Sequence, residues 1–219
     1  GGERAPPACA VQKQEVRQPS AVPVAAPVFQ CAGWEAEVAE LLGNISPTPA
    51  GDAAVAELAR IVKQAIRPIL PEVEVTGFAS GSLKRGGTAF GVAVPEVDIV
   101  INVSPDTLSS RLHGRWSQAR PHAAGLDAAK LQKSAIRACT DRLVGTGSFK
   151  FRRSAFRGQE PKVTIIAPPF GNCEQGIPMN LSVNAWTPLY NAILLTECKQ
   201  IDVRAQELVL LAKRWAKDR

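Results

Sequence analysis

The stretch that decides the fold begins with Gly81-Ser82 and continues, after thirteen intervening residues, with the run Glu96-Val97-Asp98-Ile99-Val100-Ile101. The β-forming residues of this run predict a strand, and alternation of side chains places Glu96 and Asp98 on one face, a few ångströms apart. Like charges at that separation repel unless a cation lies between them, and oxygen ligands of this kind suit Mg²⁺. An acidic-apolar-acidic triplet is also common on half-exposed strands, so other observations must support a metal site.

The segment before the strand, residues 77–82, consists mostly of small residues. Successive backbone N–H groups in such a segment can form a concave site for a phosphate. A phosphate site followed by a strand with paired carboxylates predicts nucleotidyl transfer.

Composition narrows the class of protein. The 219 residues include 26 Lys and Arg against 20 Asp and Glu, a net charge of +6, which mildly favours polyanionic partners. The cysteines show no C-x-x-C spacing, so we expect free thiols and neither a zinc site nor a disulfide framework: Cys9, Cys31, Cys139, Cys173 and Cys198. This usage is typical of a reducing intracellular compartment, which is the cytoplasm, nucleus or mitochondrion.

The ends of the chain differ from its middle. Residues 1–33 are rich in Pro and Ala, which predicts a disordered lead. No apolar run approaches the length of about eighteen residues that a membrane span needs, so no membrane partner is expected. The sequence lacks an initiator Met and stops within a helical pattern, so we expect it to be part of a longer protein.

Periodicity predicts helices and strands that alternate irregularly along the chain. The predicted helices are residues 34–42, 53–70, 126–143, 189–199 and 203–217, the second ending or kinking near Arg67 because Pro68 follows. The predicted strands are residues 72–78, 96–103, 149–156, 162–167 and 177–184, while residues 108–125 are expected to be irregular. This order predicts an α/β or α+β domain around a mixed sheet.

Three segments in the last third carry a resemblance: Asn180-Leu-Ser-Val-Asn184, Leu189-Tyr-Asn-Ala-Ile-Leu-Leu195 and Leu208-Val-Leu-Leu-Ala-Lys-Arg-Trp-Ala-Lys217. With Gly81-Ser82 and the acidic strand, they resemble the noncanonical poly(A) polymerases and terminal uridylyltransferases, which are DNA polymerase β-like nucleotidyltransferases that extend RNA 3′ ends. The resemblance covers roughly residues 34–219. It implies a nucleotidyltransferase domain over residues 34–188 and the first helices of an incomplete helical domain over residues 189–219, in a monomer.

The resemblance implies a metal site and a triphosphate site. Glu96 and Asp98 resemble the first two metal-binding acids, with Mg²⁺ or Mn²⁺ as the cofactor, and Gly81-Ser82 resembles the segment that holds the triphosphate. An alternative register, with Gly77 as the signature glycine and Ser80 as the phosphate contact, stays open. Gly81 is preferred because Gly81-Ser-Leu-Lys-Arg-Gly86 reproduces the spacing between the family's two glycines.

The resemblance also implies further nucleotide contacts. Asn191 resembles the asparagine that contacts the ribose, and Lys213 and Lys217 resemble a lysine pair that meets the triphosphate of the NTP. A spacing of four residues on a helix puts both ammonium groups on one face. Trp215 lies about 180° from their midline and is expected to anchor the opposite side in apolar packing.

Two departures from the family pattern affect function. Asn180 stands where the family has a third catalytic carboxylate, and its side chain is expected on the strand next to the one that bears Asp98. Glu96 stands where the first acid is usually Asp. The leading hypothesis is transfer of NMP from an NTP to an RNA 3′-OH. A second is a degenerate relative that binds NTP or RNA without transfer, because Asn180 replaces the acid. A third, a second-messenger synthase on the same fold, is disfavoured by the helix with Lys213 and Lys217.

Overall fold

The computed structural model describes residues 28–83, 97–117, 128–157, 160–169 and 176–217, and of residues 113–117 and 217 it describes the backbone only. Within these ranges the elements are, in chain order, α1 (Trp34–Ile45), α2 (Pro49–Ile66), β1 (Glu74–Ala79), β2 (Val97–Asn102), α3 (Pro105–Ser117), α4 (Ala128–Gly145), β3 (Lys150–Ala155), β4 (Lys162–Ile166), β5 (Pro178–Val183), α5 (Trp186–Ile201) and α6 (Val203–Lys217).

The five strands form one mixed sheet in the order β1-β2-β5-β4-β3. β2 and β5 are parallel, and the other neighbouring pairs are antiparallel. The predicted α/β class with a mixed sheet flanked by helices is confirmed.

One face of the sheet packs against α2 and α4 and forms the core. Alternate residues of the central strands point to this face and are almost completely buried, among them Ile99 and Ile101 on β2 and Leu181 on β5. Removing each of these side chains from water stabilises the fold by about 1.5–3 kcal/mol. Because side chains alternate along a strand, Asp98 and Asn180 point to the opposite face.

Helix α2 begins earlier than its apolar period indicates. Thr48 caps the helix, its Oγ1 accepting a hydrogen bond from the Gly51 N–H at 3.1 Å, and Pro49 occupies the first turn, where its missing N–H costs nothing. The helix ends at Ile66, before Pro68, as the position of that proline predicts.

The prediction that residues 108–125 are irregular is wrong for the part that the structure describes, because α3 extends through Ser117. Ser104 begins the helix: its Oγ accepts from the Thr107 N–H at 3.1 Å, and its carbonyl accepts from the Leu108 N–H at 3.0 Å. Among the side chains that the structure describes on this helix, only Leu108 and Leu112 are buried, and they lie one turn apart, so the apolar period was too short to detect.

The register between β2 and β5 is fixed where both strands end. Asn184 adopts a left-handed conformation with φ 48°, and its side-chain amide both donates to the Val103 carbonyl and accepts from the Val103 N–H, each at 2.9 Å. Its own backbone N–H donates to the Ile101 carbonyl. This double bridge holds Asp98 and Asn180, farther back on the same strands, directly opposite each other.

Helices α5 and α6 pack against each other, α5 also contacts β1, and α6 contacts α1. Helix α5 begins at Trp186, ahead of the expected start at residue 189. Large apolar side chains are exposed on both helices, including Tyr190, Leu194 and Leu208. Among the described residues, none of the helices has the length and apolar character to cross a bilayer.

Candidate active site

Asp98 and Asn180 are cross-strand neighbours on the face of the sheet opposite α2 and α4. The Asn180 Nδ2 donates a hydrogen bond to Asp98 Oδ1 at 3.0 Å. Both side chains are half-buried. The sequence therefore predicted the location of Asn180 correctly, on the strand beside that of Asp98. Glu96, the other predicted acid, lies outside the described residues.

Two further residues continue this line of side chains across the sheet. Thr164 on β4 pairs with Asn180, and its Oγ1 donates to Asn180 Oδ1 at 3.0 Å. Arg153 on the edge strand β3 pairs with Thr164 and donates from Nε to Thr164 Oγ1 at 3.4 Å. We call Asp98, Asn180, Thr164 and Arg153 the polar row.

Thr164 and Arg153 were not predicted as site residues. The available signal was weak: Thr164 is the one polar residue inside the apolar run Val163–Ile166, and it is buried with 3% of its surface exposed. A buried hydroxyl on an otherwise apolar strand requires a hydrogen-bond partner. The sequence does not reveal the partner, because the partner depends on the register of three strands.

Part of the segment that was predicted to bind a phosphate is used by the fold itself. Gly77 lies inside β1, paired with Ile99, and the Ser82 N–H donates to the Ile45 carbonyl at 2.9 Å. Two residues, Ser80 and Gly81, therefore lie between the end of β1 and the hydrogen bond of the Ser82 N–H. The assignment of Gly81 and Ser82 to the triphosphate stays a prediction.

Gly77 has a packing role that the alternative register did not anticipate. A Cβ atom at this position would lie 2.6 Å from Val55 Cγ1 and 3.0 Å from Ile99 Cδ1. Glycine thus permits α2 to lie close against β1, whatever contact the segment makes with a ligand.

Lys213 on α6 is the predicted basic residue that the structure brings to this segment. Its ammonium group donates to the Ser80 carbonyl at 3.4 Å. Ser80 is two residues, about 7 Å along the strand, beyond Phe78, and Phe78 pairs with Asp98. A positive charge therefore lies beside the Gly81-Ser82 segment. The side chain of Lys217 lies outside the described part of the chain.

The prediction that Trp215 anchors α6 in apolar packing is wrong, because its surface is 62% exposed. The most buried side chains of this helix are Leu210 and Arg214, one turn apart. They define a buried side about 60° from the midline of Lys213 and Lys217, and Trp215 lies about 120° from that buried side. Packing follows Leu210 and Arg214 rather than the largest apolar residue.

The remaining predicted residues are Asn191 and the cysteines. Asn191 is exposed on α5, and its ribose contact stays a prediction. The cysteines that the structure describes, Cys31, Cys139 and Cys198, are free thiols as predicted. Burial raises the pKa of the Cys139 thiol to about 12, so this group stays protonated and is not a nucleophile.

The described side chains at the site are poorly suited to bind a second divalent cation. Within the described ranges, no group of three His, Cys, Asp or Glu side chains is arranged to hold a metal ion. Asp98 offers an anionic oxygen, and Glu96 would add another. Position 180, however, presents an amide donor towards Asp98. A hard cation such as Mg²⁺ needs an oxygen ligand at that point.

Solved structures with a similar fold include noncanonical poly(A) and poly(U) polymerases. The Cid1 poly(U) polymerase bound to MgGTP matches with a TM-score of 0.51 and 15% identity, over 82% of this chain and 46% of that chain. The structure of the GLD-2/RNP-8 complex matches with a TM-score of 0.56 and 17% identity, over 82% and 58%. The structure of mtPAP in complex with UTP matches with a TM-score of 0.55 and 16% identity, over 86% and 37%.

At these identities the likeness establishes the fold, and the predicted resemblance is confirmed at that level. This chain spans less than two thirds of each of the three polymerases. No protein-family model and no curated protein sequence matches it.

Proposed function

We propose that this chain is the nucleotide-binding part of an RNA 3′-terminal nucleotidyltransferase, which transfers NMP from an NTP to an RNA 3′-OH. The observation that carries the proposal is the pairing of Asp98 with Asn180 on one face of the sheet, with the Lys213 ammonium beside the backbone that leaves β1. An anionic group for a cation and a cationic group for a triphosphate thus lie near the same end of β1.

The nucleotide would lie between these two charges. Lys213, with Lys217, would neutralise the triphosphate, and Gly81-Ser82 would contact it through backbone and hydroxyl groups. Asn191 would contact the ribose. Glu96 and Asp98 would hold a single Mg²⁺ or Mn²⁺, which supplies positive charge to the phosphates when bound.

In the reaction, the RNA 3′-oxygen forms a bond to the α-phosphorus while the bond to the bridging oxygen breaks and pyrophosphate leaves. Such transfer depends mainly on positioning and charge neutralisation. The proton of the attacking hydroxyl must also reach an acceptor. Asn180 cannot accept it, because an amide is not a base and its Nδ2 already donates to Asp98. We therefore expect slow turnover.

The RNA partner is supported by the charge of the sheet edge. Strands β3 and β4 carry Lys150, Arg152, Arg153 and Lys162 and no acidic residue. β3 is the edge strand, and Arg153 belongs to the same row as Asp98. A basic edge of this kind attracts a phosphate backbone, in a manner that salt weakens.

A second function, binding of NTP or RNA without transfer, is favoured by a specific observation. The Asn180 amide donates to Asp98 Oδ1, the oxygen that would otherwise be open to a cation. A site that is internally satisfied has less need of a second metal ion, and hence less capacity for two-metal chemistry.

Two measurements on the same protein separate these functions. Isothermal titration with each of the four NTPs in the presence of Mg²⁺ tests nucleotide binding, and extension of a labelled RNA oligonucleotide tests transfer. Binding with slow extension supports the transferase, and binding without extension supports the second function. If none of the NTPs binds, the transferase is wrong, and if the RNA oligonucleotide does not bind either, the second function is wrong as well.

A further inference from the structure

The polar row is one cross-strand register that continues through four strands. Asp98 pairs with Asn180, Asn180 with Thr164, and Thr164 with Arg153. Each pair is joined by a side-chain hydrogen bond. The row therefore links the guanidinium group of Arg153, at the sheet edge, to the carboxylate of Asp98, on an interior strand.

The direction of these hydrogen bonds follows from chemistry alone. An ionised carboxylate only accepts, so the Asn180 atom that faces Asp98 must be the NH₂ group. The carbonyl oxygen of the amide then faces Thr164, whose hydroxyl donates to it. Arg153 only donates, so the oxygen of Thr164 accepts from it. The donor and acceptor roles along the row are therefore mutually consistent, and polarisation along such a chain strengthens each hydrogen bond in it.

This arrangement uses both ends of the Asn180 amide. The Oδ1 oxygen, the only atom of the Asn180 side chain that is able to bind a hard cation, accepts the Thr164 hydroxyl instead. The NH₂ group occupies the direction from which a second cation would approach Asp98 Oδ1. To bind that cation, the amide would have to rotate and lose both bonds.

We propose that Thr164 is a positioning residue that holds the Asn180 amide as a donor to Asp98, so that the site takes one divalent cation with its nucleotide rather than two. The number of divalent cations bound with the nucleotide is a question that rests on the function proposed above. Thr164 suits this role because it is buried, with 3% of its surface exposed, and sits on a strand paired on both sides. Exposed Arg153, at 3.4 Å, contributes less.

The test is Mn²⁺ binding followed by electron paramagnetic resonance, first without nucleotide and then with a non-hydrolysable ATP analogue. With the analogue, the parent protein binds one Mn²⁺ and Asn180→Asp binds two. Without nucleotide, Asn180→Asp binds Mn²⁺ at least about tenfold more tightly than the parent, because a second anion faces the cation.

Thr164→Val removes the hydroxyl and frees the Asn180 oxygen. We expect Mn²⁺ affinity to rise about fivefold, the factor that corresponds to one ordinary hydrogen bond. Thr164→Ser keeps the hydroxyl and should return the affinity to that of the parent. Thr164→Ala replaces the valine variant if circular dichroism shows that the latter is unfolded.

Two Mn²⁺ ions in the parent, or equal affinities in the parent and the hydroxyl-lacking variant, would overturn the proposal. Failure of every variant to bind the ATP analogue would instead overturn the proposed function. The nucleotide-free titration still decides the role of Thr164 in that case.

Discussion

Asn180 and Asp98 face each other across two parallel strands, and the amide of the first donates to the carboxylate of the second at 3.0 Å. A carboxylate pair at these positions would repel without a cation between them. Asparagine converts the repulsion into a hydrogen bond. The pair therefore needs no metal ion to offset a repulsion, but the site has one anionic ligand fewer.

The presence of asparagine rather than a carboxylate at position 180 leads to a prediction about stability. Asn180→Asp should lower the free energy of unfolding by about 1–3 kcal/mol in EDTA, because it replaces a hydrogen bond with a like-charge contact. Added Mn²⁺ should restore part of the loss. Urea denaturation with and without the metal measures both effects. Asn191→Asp, the same substitution at an exposed site on α5, should change neither by more than about 0.5 kcal/mol.

The same substitution should affect turnover in the opposite direction. Asn180→Asp supplies a proton acceptor and a metal ligand for the attacking hydroxyl, so we expect it to extend an RNA oligonucleotide faster than the parent. Single-turnover extension in Mn²⁺ measures the difference. A variant that folds, binds NTP and remains as slow as the parent would show that position 180 is not what limits transfer.

Charge at Lys213 gives a third prediction. Lys213→Glu should weaken NTP binding far more than Lys130→Glu, because Lys213 lies against the Ser80 carbonyl whereas Lys130 is exposed on α4. Titration at rising KCl should show that the parent loses affinity with salt and that Lys213→Glu loses less. If the two reversals have equal effects, Lys213 is a solvated side chain without a nucleotide role.

The fold was largely predictable because its strands and long helices carry strong periodicity. Helix α4 and the central strands were found near their observed bounds, since buried apolar residues recur along them. Helix α3 was missed because, over residues 105–112, where its side chains are described, only Leu108 and Leu112 are buried. Its capping residue Ser104, followed by Pro105, was the signal that could have revealed it.

The candidate site was predictable only where local spacing determines geometry. Asn180 could be placed beside Asp98 because the resemblance gave both strands. Its bond to Thr164 could not be foreseen, because it depends on which residues of β4 and β5 pair. Trp215 was misplaced because the four consecutive apolar residues 208–211 surround this helix and leave it without a single apolar face, and Arg214 is buried in its stead.

Gly77 allows a matched test of packing. Gly77→Ala should destabilise the fold by about 1–3 kcal/mol, because the new methyl group would meet Val55 Cγ1 at 2.6 Å. Gly43→Ala, on helix α1 with nothing within 4 Å, should be neutral or stabilise by up to about 1 kcal/mol. Equal thermal shifts for the two variants would show that α2 does not need glycine beneath it.

Cys139 makes stability depend on pH in the alkaline range. Burial raises the pKa of its thiol from 9.0 to about 12, whereas in the unfolded chain the thiol ionises near the ordinary value. Between these two pKa values the unfolded chain binds fewer protons than the folded protein does. The stabilisation that the protonated thiol contributes is therefore complete below pH 9 and is lost as the pH rises towards 12. The slope of the free energy of unfolding against pH approaches about 1.4 kcal/mol per pH unit.

Urea denaturation from pH 8 to about 11 measures this slope. In the control variant Cys139→Ala, the part of the slope that comes from this thiol should vanish. Exposed Cys31→Ala should keep the full slope, and identical slopes in all three proteins would show that the Cys139 thiol ionises in the folded state.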